Sequence, residues 1–134
     1  MFYEFVLTVP AGTEQNDPEE KECVLDYGII TMVEVGFMAG CQRYVYLCID
    51  DKLHQVWPTN PDEAFRGENY TIHFTARHPI LEPPYMLKLR GWSPDASYDH
   101  NITVRFEVLL PAEAYPYVDQ VGLLSKLRAL FGLK

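Results

Sequence analysis

The sequence lacks the long apolar run, of roughly 18 residues, that a membrane-spanning helix needs. Its beginning also lacks the basic and apolar regions of a secretory signal. Basic residues are few, since 11 Lys and Arg stand against 19 Asp and Glu and give a net charge of −8. Nucleic-acid binding usually requires a basic stripe that neutralises phosphates. We therefore expect no membrane partner, no nucleic-acid partner and a cytoplasmic location, with later incorporation into a particle left open.

Cysteine is scarce, and the three cysteines are Cys23, Cys41 and Cys48. An odd number cannot pair completely within one chain, no CxxC motif occurs, and the spacing from Cys41 to Cys48 matches no common zinc site. The sequence also holds no GxSxG motif, no HExxH motif and no glycine-rich phosphate loop. We expect reduced and buried cysteines, no metal, no other cofactor and no enzymatic activity.

Alternation of apolar and polar residues with a period of two dominates the chain. It is clearest at residues 102–109, where every second side chain from Ile102 to Val108 is apolar. This pattern predicts strands at residues 2–9, 29–37, 43–49, 53–57, 70–75, 85–90 and 102–109. Clusters of Gly, Pro, Asn and Asp separate them. We predict an all-β fold over residues 1–111, a jelly-roll-like antiparallel β-sandwich of about seven or eight strands.

Three segments of this domain carry more specific expectations. Residues 43–49 are apolar on both faces, which predicts a strand that is either central in the sandwich or covered by a partner, with Tyr44 and Tyr46 on one side. In residues 29–37, strict alternation places Ile29 and Thr31 on the core-facing side with the valines that follow. Residues 13–22 hold five acidic side chains and one lysine, so we expect a solvated loop there.

The end of the chain breaks the two-residue pattern. Within residues 112–134, the spacing predicts an amphipathic helix that begins after Asp119 and ends before Gly132. Its apolar side, called here the leucine stripe, consists of Leu123, Leu124, Leu127, Leu130 and Phe131. A helix of about 12 residues is marginal alone in water, so the stripe must be buried. Packing on the chain's own sandwich and docking on a neighbouring subunit or larger partner both remain open, and binding to a membrane surface is a weaker alternative.

These features favour a structural or adaptor subunit of a larger protein assembly, either a homo-oligomer or a complex with other proteins. A virus or phage particle is one example, by analogy of fold alone. We expect partners to bind Tyr44, Tyr46 and the leucine stripe, with the acidic segment at residues 13–22 selecting basic surfaces.

An alternative hypothesis is a carbohydrate- or calcium-binding module. Trp57 and Trp92 lie beside predicted loops, where aromatic rings can stack on sugars, and Asp95 and Asp99 belong to a run of oxygen-bearing side chains at residues 95–101. That run lacks the glycine and the glutamate of the helix–loop–helix calcium motif. A small metalloenzyme is a weaker alternative, because His73 and His78 are five residues apart and an odd offset places them on opposite faces of a strand.

Overall fold

The computed structural model describes residues 1–115 and residue 130, and these contain eight strands and one short helix. The elements are β1 (Phe2–Val9), β2 (Glu19–Val24), β3 (Gly28–Phe37), β4 (Tyr46–Asp51), β5 (His54–Trp57), β6 (Tyr70–Ile80), β7 (Met86–Trp92), β8 (His100–Leu109) and α1 (Pro111–Ala114). The one-turn helix α1 follows β8 directly and was not predicted from the sequence. Among the described residues, no helix is long and apolar enough to cross a membrane.

Two four-stranded antiparallel sheets pack face to face. Sheet A has the strand order β1-β8-β3-β6, and sheet B has the order β2-β7-β4-β5. The predicted antiparallel β-sandwich is thereby confirmed. Strand β4 lies between β7 and β5, so its predicted central position is also confirmed.

The core lies between the sheets and follows the two-residue alternation. In β8, the side chains of Ile102, Val104, Phe106 and Val108 are all fully buried. In β7 of the opposite sheet, Leu87 and Leu89 are fully buried from the other side. Because each sheet offers one apolar face to the other, the polar residues of the same strands lie on the outer faces.

The expectation of a solvated loop over residues 13–22 is wrong for its second half, which forms β2. This strand lies at the edge of sheet B and pairs only with β7. Of the side chains of β2, that of Cys23 is buried in the core. The Lys21 ammonium donates a hydrogen bond to the Val6 carbonyl of β1, 3.0 Å away. An edge strand tolerates this charge density because one of its faces and one of its edges remain in water.

Strand β3 also differs from the expectation, because a β-bulge shifts its register between Ile30 and Met32. Ile29 and Ile30 are both fully buried, but it is Ile30 that packs in the core cluster between the sheets. Thr31 lies away from the core and donates a hydrogen bond from its hydroxyl to the Glu107 carboxylate, 2.6 Å away. A bulge adds one residue to a strand, so the alternation of core-facing and outward-facing side chains shifts by one position where the strand passes through it.

Candidate binding site

A cavity of about 300 Å³ opens on the outer face of sheet B. Side chains of β4 and β7 line it from below, and residues 61–66 of the β5–β6 loop line it from above. This sheet B cavity contains an aromatic pair, Tyr46 and Trp92, and two arginines, Arg66 and Arg90. Antiparallel pairing of β4 with β7 sets Tyr46 directly opposite Trp92.

The aromatic pair is stacked and flanked by guanidinium groups. The ring centroids of Tyr46 and Trp92 are 5.6 Å apart, with an angle of 5° between the ring planes. The Arg66 guanidinium carbon lies 4.5 Å from the centre of the Tyr46 ring, and Arg66 Nε donates to the Arg43 carbonyl at 2.8 Å. Trp92 is only 5% exposed, and Asp62 and Glu63 also line the cavity. The cavity therefore combines aromatic surface, mainly that of Tyr46, with charged groups of both signs, which suits a polar ligand.

A buried ion pair supports the wall of the cavity. Arg90 Nη2 donates to Asp50 Oδ1 at 3.1 Å and to Gln55 Oε1 at 3.1 Å. Gln55 Nε2 in turn donates to the carbonyls of Pro58, Asn60 and Glu63. The hydrogen bonds to Asp50 raise the pKa of Arg90, so the guanidinium stays charged. This network holds the β5–β6 loop over sheet B.

Cys48 lies at the floor of the cavity, and its thiol donates to the Glu63 carbonyl at 3.4 Å. Burial raises the pKa of the Cys48 thiol to about 11. A thiol in this state is protonated near neutral pH and is a poor nucleophile or metal ligand. Cys48 therefore contributes packing and a hydrogen bond to the loop.

A second thiol, that of Cys41 in the connection between β3 and β4, lies next to His100 at the start of β8. The Cys41 sulfur lies 3.8 Å from His100 Nδ1, and both residues are buried. Burial raises the pKa of the Cys41 thiol, which favours the neutral form over a reactive thiolate. Within residues 1–115 and at residue 130, no three His, Cys, Asp or Glu side chains are grouped to hold a metal ion.

The two tyrosines predicted to bind partners are separated by the start of β4. Tyr46 begins the strand and lies in the sheet B cavity. Tyr44 lies before the strand and is exposed, in a turn where Gln42 and Arg43 adopt left-handed backbone conformations. The predicted strand over residues 43–49 therefore starts later than expected, and the two rings do not share a strand face.

The residues of the alternative ligand site are also dispersed. Trp92 belongs to the outer face of sheet B, whereas Trp57 packs against the core, with its ring centroid 5.7 Å from that of Phe74 on sheet A. Asp99 accepts a hydrogen bond from the Ala11 backbone at 2.9 Å, and Asp95 is exposed. Trp92 is the one member of this set that lines the sheet B cavity.

Four of the five residues of the leucine stripe lie outside the described part of the chain: Leu123, Leu124, Leu127 and Phe131. The predicted helix cap, Asp119, lies outside it as well. Leu130 is described. It has helical backbone geometry, and 58% of its surface is exposed. At this position the apolar stripe is thus not covered by the sandwich.

Sequence reasoning missed Arg66, Arg90 and Gln55 as parts of one site. Alternation in β7 does place Arg90 and Trp92 on the same face, and that signal was readable. The contribution of Arg66 depends on the path of the β5–β6 loop, which no local pattern encodes.

Comparisons with known proteins add little to this description. No family model matches the chain, and a search of curated proteins found no match. Among solved structures, a similar chain comes from Bacillus endospore appendages, described as a family of disulfide-linked pili. That similarity has a TM-score of 0.35 and 11% sequence identity, and it covers 81% of this chain and 88% of that chain. A similarity this low carries no argument about function.

Proposed function

We propose that this chain is a non-enzymatic structural subunit of a larger protein assembly, in which copies of the chain associate through the leucine stripe. The exposure of Leu130 carries the proposal, because an exposed apolar side chain on a predicted amphipathic helix favours burial against another protein. A virus or phage particle is one kind of assembly that would use such a subunit.

The sandwich does not need the leucine stripe to complete its interior. Among the described residues, the largest fully buried side chains all come from positions between Val9 and Phe106. The two sheets therefore form most of the core from their own strands, and the half-buried Ile72, Phe74 and Ala76 of β6 lie at its margin. The stripe is then available for contacts between subunits, and the reduced state of the three cysteines fits assembly in the cytoplasm.

Sedimentation equilibrium of the full chain tests the proposal. The wild-type protein should self-associate, and Leu127→Asp should weaken association by about tenfold or more, because a charge would replace a buried apolar anchor. Ser125→Asp is the matched control, since it adds the same charge on the polar side of the predicted helix and should leave association nearly unchanged. A wild-type protein that stays monomeric up to about 1 mM, or equal effects of the two substitutions, would overturn the proposal.

Carbohydrate binding is a second candidate function, favoured by the stacked Tyr46 and Trp92 rings in the sheet B cavity. Sugar rings bind to flat aromatic surfaces that are flanked by polar side chains, and Arg66 supplies such a side chain. A glycan array probed with labelled wild-type protein and with Tyr46→Ala tests this function. Binding of at least one glycan that Tyr46→Ala abolishes would support it, and the absence of any binding would refute it.

A further inference from the structure

The sandwich has four edge strands, and three of them are protected against pairing with another chain. On the side of the sandwich formed by β1 and β2, the Lys21 ammonium donates a hydrogen bond to the Val6 carbonyl at the edge of β1. Strand β2 carries four charged residues in a row, at positions 19–22. On the other side, β5 has only four residues. Charge, short length and covering side chains are the usual devices that prevent edge-to-edge pairing.

The fourth edge strand, β6, is neither short nor acidic, and its arginine, Arg77, and its proline, Pro79, both lie in its last four residues. It is 11 residues long, and among the eight described strands it pairs only with β3. Within the part of the chain that the structure describes, no hydrogen bond reaches the backbone of its free edge. Its sequence, YTIHFTARHPI, contains no Asp, Glu or Lys and is rich in β-branched and aromatic residues.

The core-facing side chains of β6 are also incompletely covered. Ile72, Phe74 and Ala76 pack against the core yet are only half-buried, whereas the corresponding residues of β3 and β8 are fully buried. Another strand placed beside β6 would cover these three side chains and would satisfy the free backbone groups at the same time.

We propose that β6 is a homotypic assembly edge, at which β6 of one copy pairs antiparallel with β6 of a second copy and joins their A sheets into one continuous sheet. The inference rests on the proposed function, because it names a second surface through which this chain associates with itself. A two-fold axis makes the contact self-complementary.

The distribution of charge favours a second copy of the chain as the partner that pairs with β6. Two copies that each carry a net charge of −8 repel one another over most of their surfaces. Strand β6 itself has no acidic residue, and the Asp51 carboxylate beside it is paired with His78 Nε2 at 2.7 Å, so carboxylate repulsion between two copies is weak there. Pro79 has no N–H to donate, and we therefore place the pairing within residues 70–78. A contact formed by one strand pair is small, below about 1,200 Å² in total, so association should be in the micromolar range or weaker.

Disulfide trapping in the full chain tests the edge directly. The three native cysteines are buried, so they should not form disulfides between copies of the chain. Single cysteines are introduced at exposed positions of β6: Thr71→Cys, His73→Cys, Thr75→Cys and Arg77→Cys. Thr8→Cys is the matched control, because Thr8 is exposed on the same sheet but at the opposite edge. Each variant, and each mixture of two β6 variants, is oxidised at a concentration at which the wild-type protein self-associates.

The expected result is a covalent dimer at one β6 position or for one pair of neighbouring positions, in at least fivefold excess over the Thr8→Cys control. Only residues directly opposite one another across the two-fold axis have the Cα separation that a disulfide allows. In addition, Thr75→Lys should weaken self-association, and Thr8→Lys should not, because lysines would meet only across the β6 edge.

The outcomes separate this inference from the proposed function. If the wild-type protein is monomeric throughout the concentration range, both fail. If it self-associates, but β6 cysteines cross-link no better than the control and Thr75→Lys has no effect, the β6 edge is wrong and the proposed function stands.

Discussion

Asp50 on β4 and Arg90 on β7 form an ion pair across adjacent strands on the outer face of sheet B. Asp50 is only 6% exposed, although it points away from the core. The β5–β6 loop provides the cover, since Gln55 connects Arg90 to three carbonyls of that loop. The position of the loop, and with it the shape of the sheet B cavity, therefore depends on this ion pair.

We expect Asp50→Ala to lower the free energy of unfolding by about 2–4 kcal/mol, because it leaves the partly buried Arg90 guanidinium without its counter-charge. Urea denaturation at pH 7 measures the loss. The control is Lys88→Ala, which removes an exposed ion pair with Glu20 at 3.5 Å and should cost less than about 0.5 kcal/mol. Similar losses for the two variants would show that the buried pair has no special role.

A pair of strand glycines provides a test of the packing between the sheets. A Cβ atom on Gly91 in β7 would lie 2.7 Å from Val9 Cγ2 and 2.9 Å from Leu7 Cδ2, whereas one on Gly36 in β3 would lie no closer than 3.6 Å to any atom. We expect Gly91→Ala to cost about 1–3 kcal/mol through overpacking. Gly36→Ala should be neutral or slightly stabilising, because it reduces the freedom of the unfolded chain. Urea denaturation compares the two, and equal effects would contradict the close approach of β7 to β1.

Side-chain alternation was sufficient to predict most of the interior. The core-facing residues of β8 were identified correctly, because this strand keeps a regular period of two between clear turn signals. Two features escaped this reasoning. The bulge in β3 follows Ile29 and Ile30, and two adjacent apolar residues do not show which of them faces the core. Strand β2 has a single core-facing anchor, Cys23, too little to form a pattern.

The candidate site could be predicted only in part. The central position of β4 and the placement of Tyr46 on one of its faces followed from its sequence. The predicted strand over residues 85–90 ends before Trp92, whereas β7 continues through Gly91 and Trp92. The hydrogen bonds from Gln55 to the β5–β6 loop are tertiary contacts, and a local polar pattern does not specify the surface on which a loop folds.

The turn between β4 and β5 allows a test of backbone strain. Lys52 adopts a left-handed conformation with φ of 57°, and the adjacent Leu53 is 95% exposed without a positive φ. We expect Lys52→Gly to raise the free energy of unfolding by up to about 1 kcal/mol, because glycine adopts that conformation without strain. Leu53→Gly should lower it by about 0.4–1 kcal/mol, since it adds only freedom to the unfolded chain. Thermal unfolding should therefore shift in opposite directions, and a shared direction would rule out strain at Lys52.

Alkaline pH should destabilise the protein through its buried thiols. Burial raises the pKa of Cys23 to about 12 and that of Cys48 to about 11, from an ordinary value of 9.0. Between pH 9 and these values the unfolded chain loses thiol protons that the native protein retains. The free energy of unfolding therefore falls as the pH rises above 9, by up to about 1.4 kcal/mol per pH unit for each thiol, and is unaffected by the thiols below pH 8.

Urea denaturation between pH 7 and pH 10, with reductant present, measures this slope. Cys23→Val is the informative variant, because valine fills a similar space and cannot ionise. Its free energy of unfolding should decrease less steeply above pH 9 than that of the wild-type protein, and the two should run parallel below pH 8. Tyr3, whose hydrogen bond to Asp26 raises its pKa to about 12, contributes in the same direction only above pH 10, so the chosen range isolates the thiols. Parallel curves over the whole range would mean that Cys23 does not ionise more readily in the unfolded chain, and the burial of its thiol would then carry no pH-dependent stability.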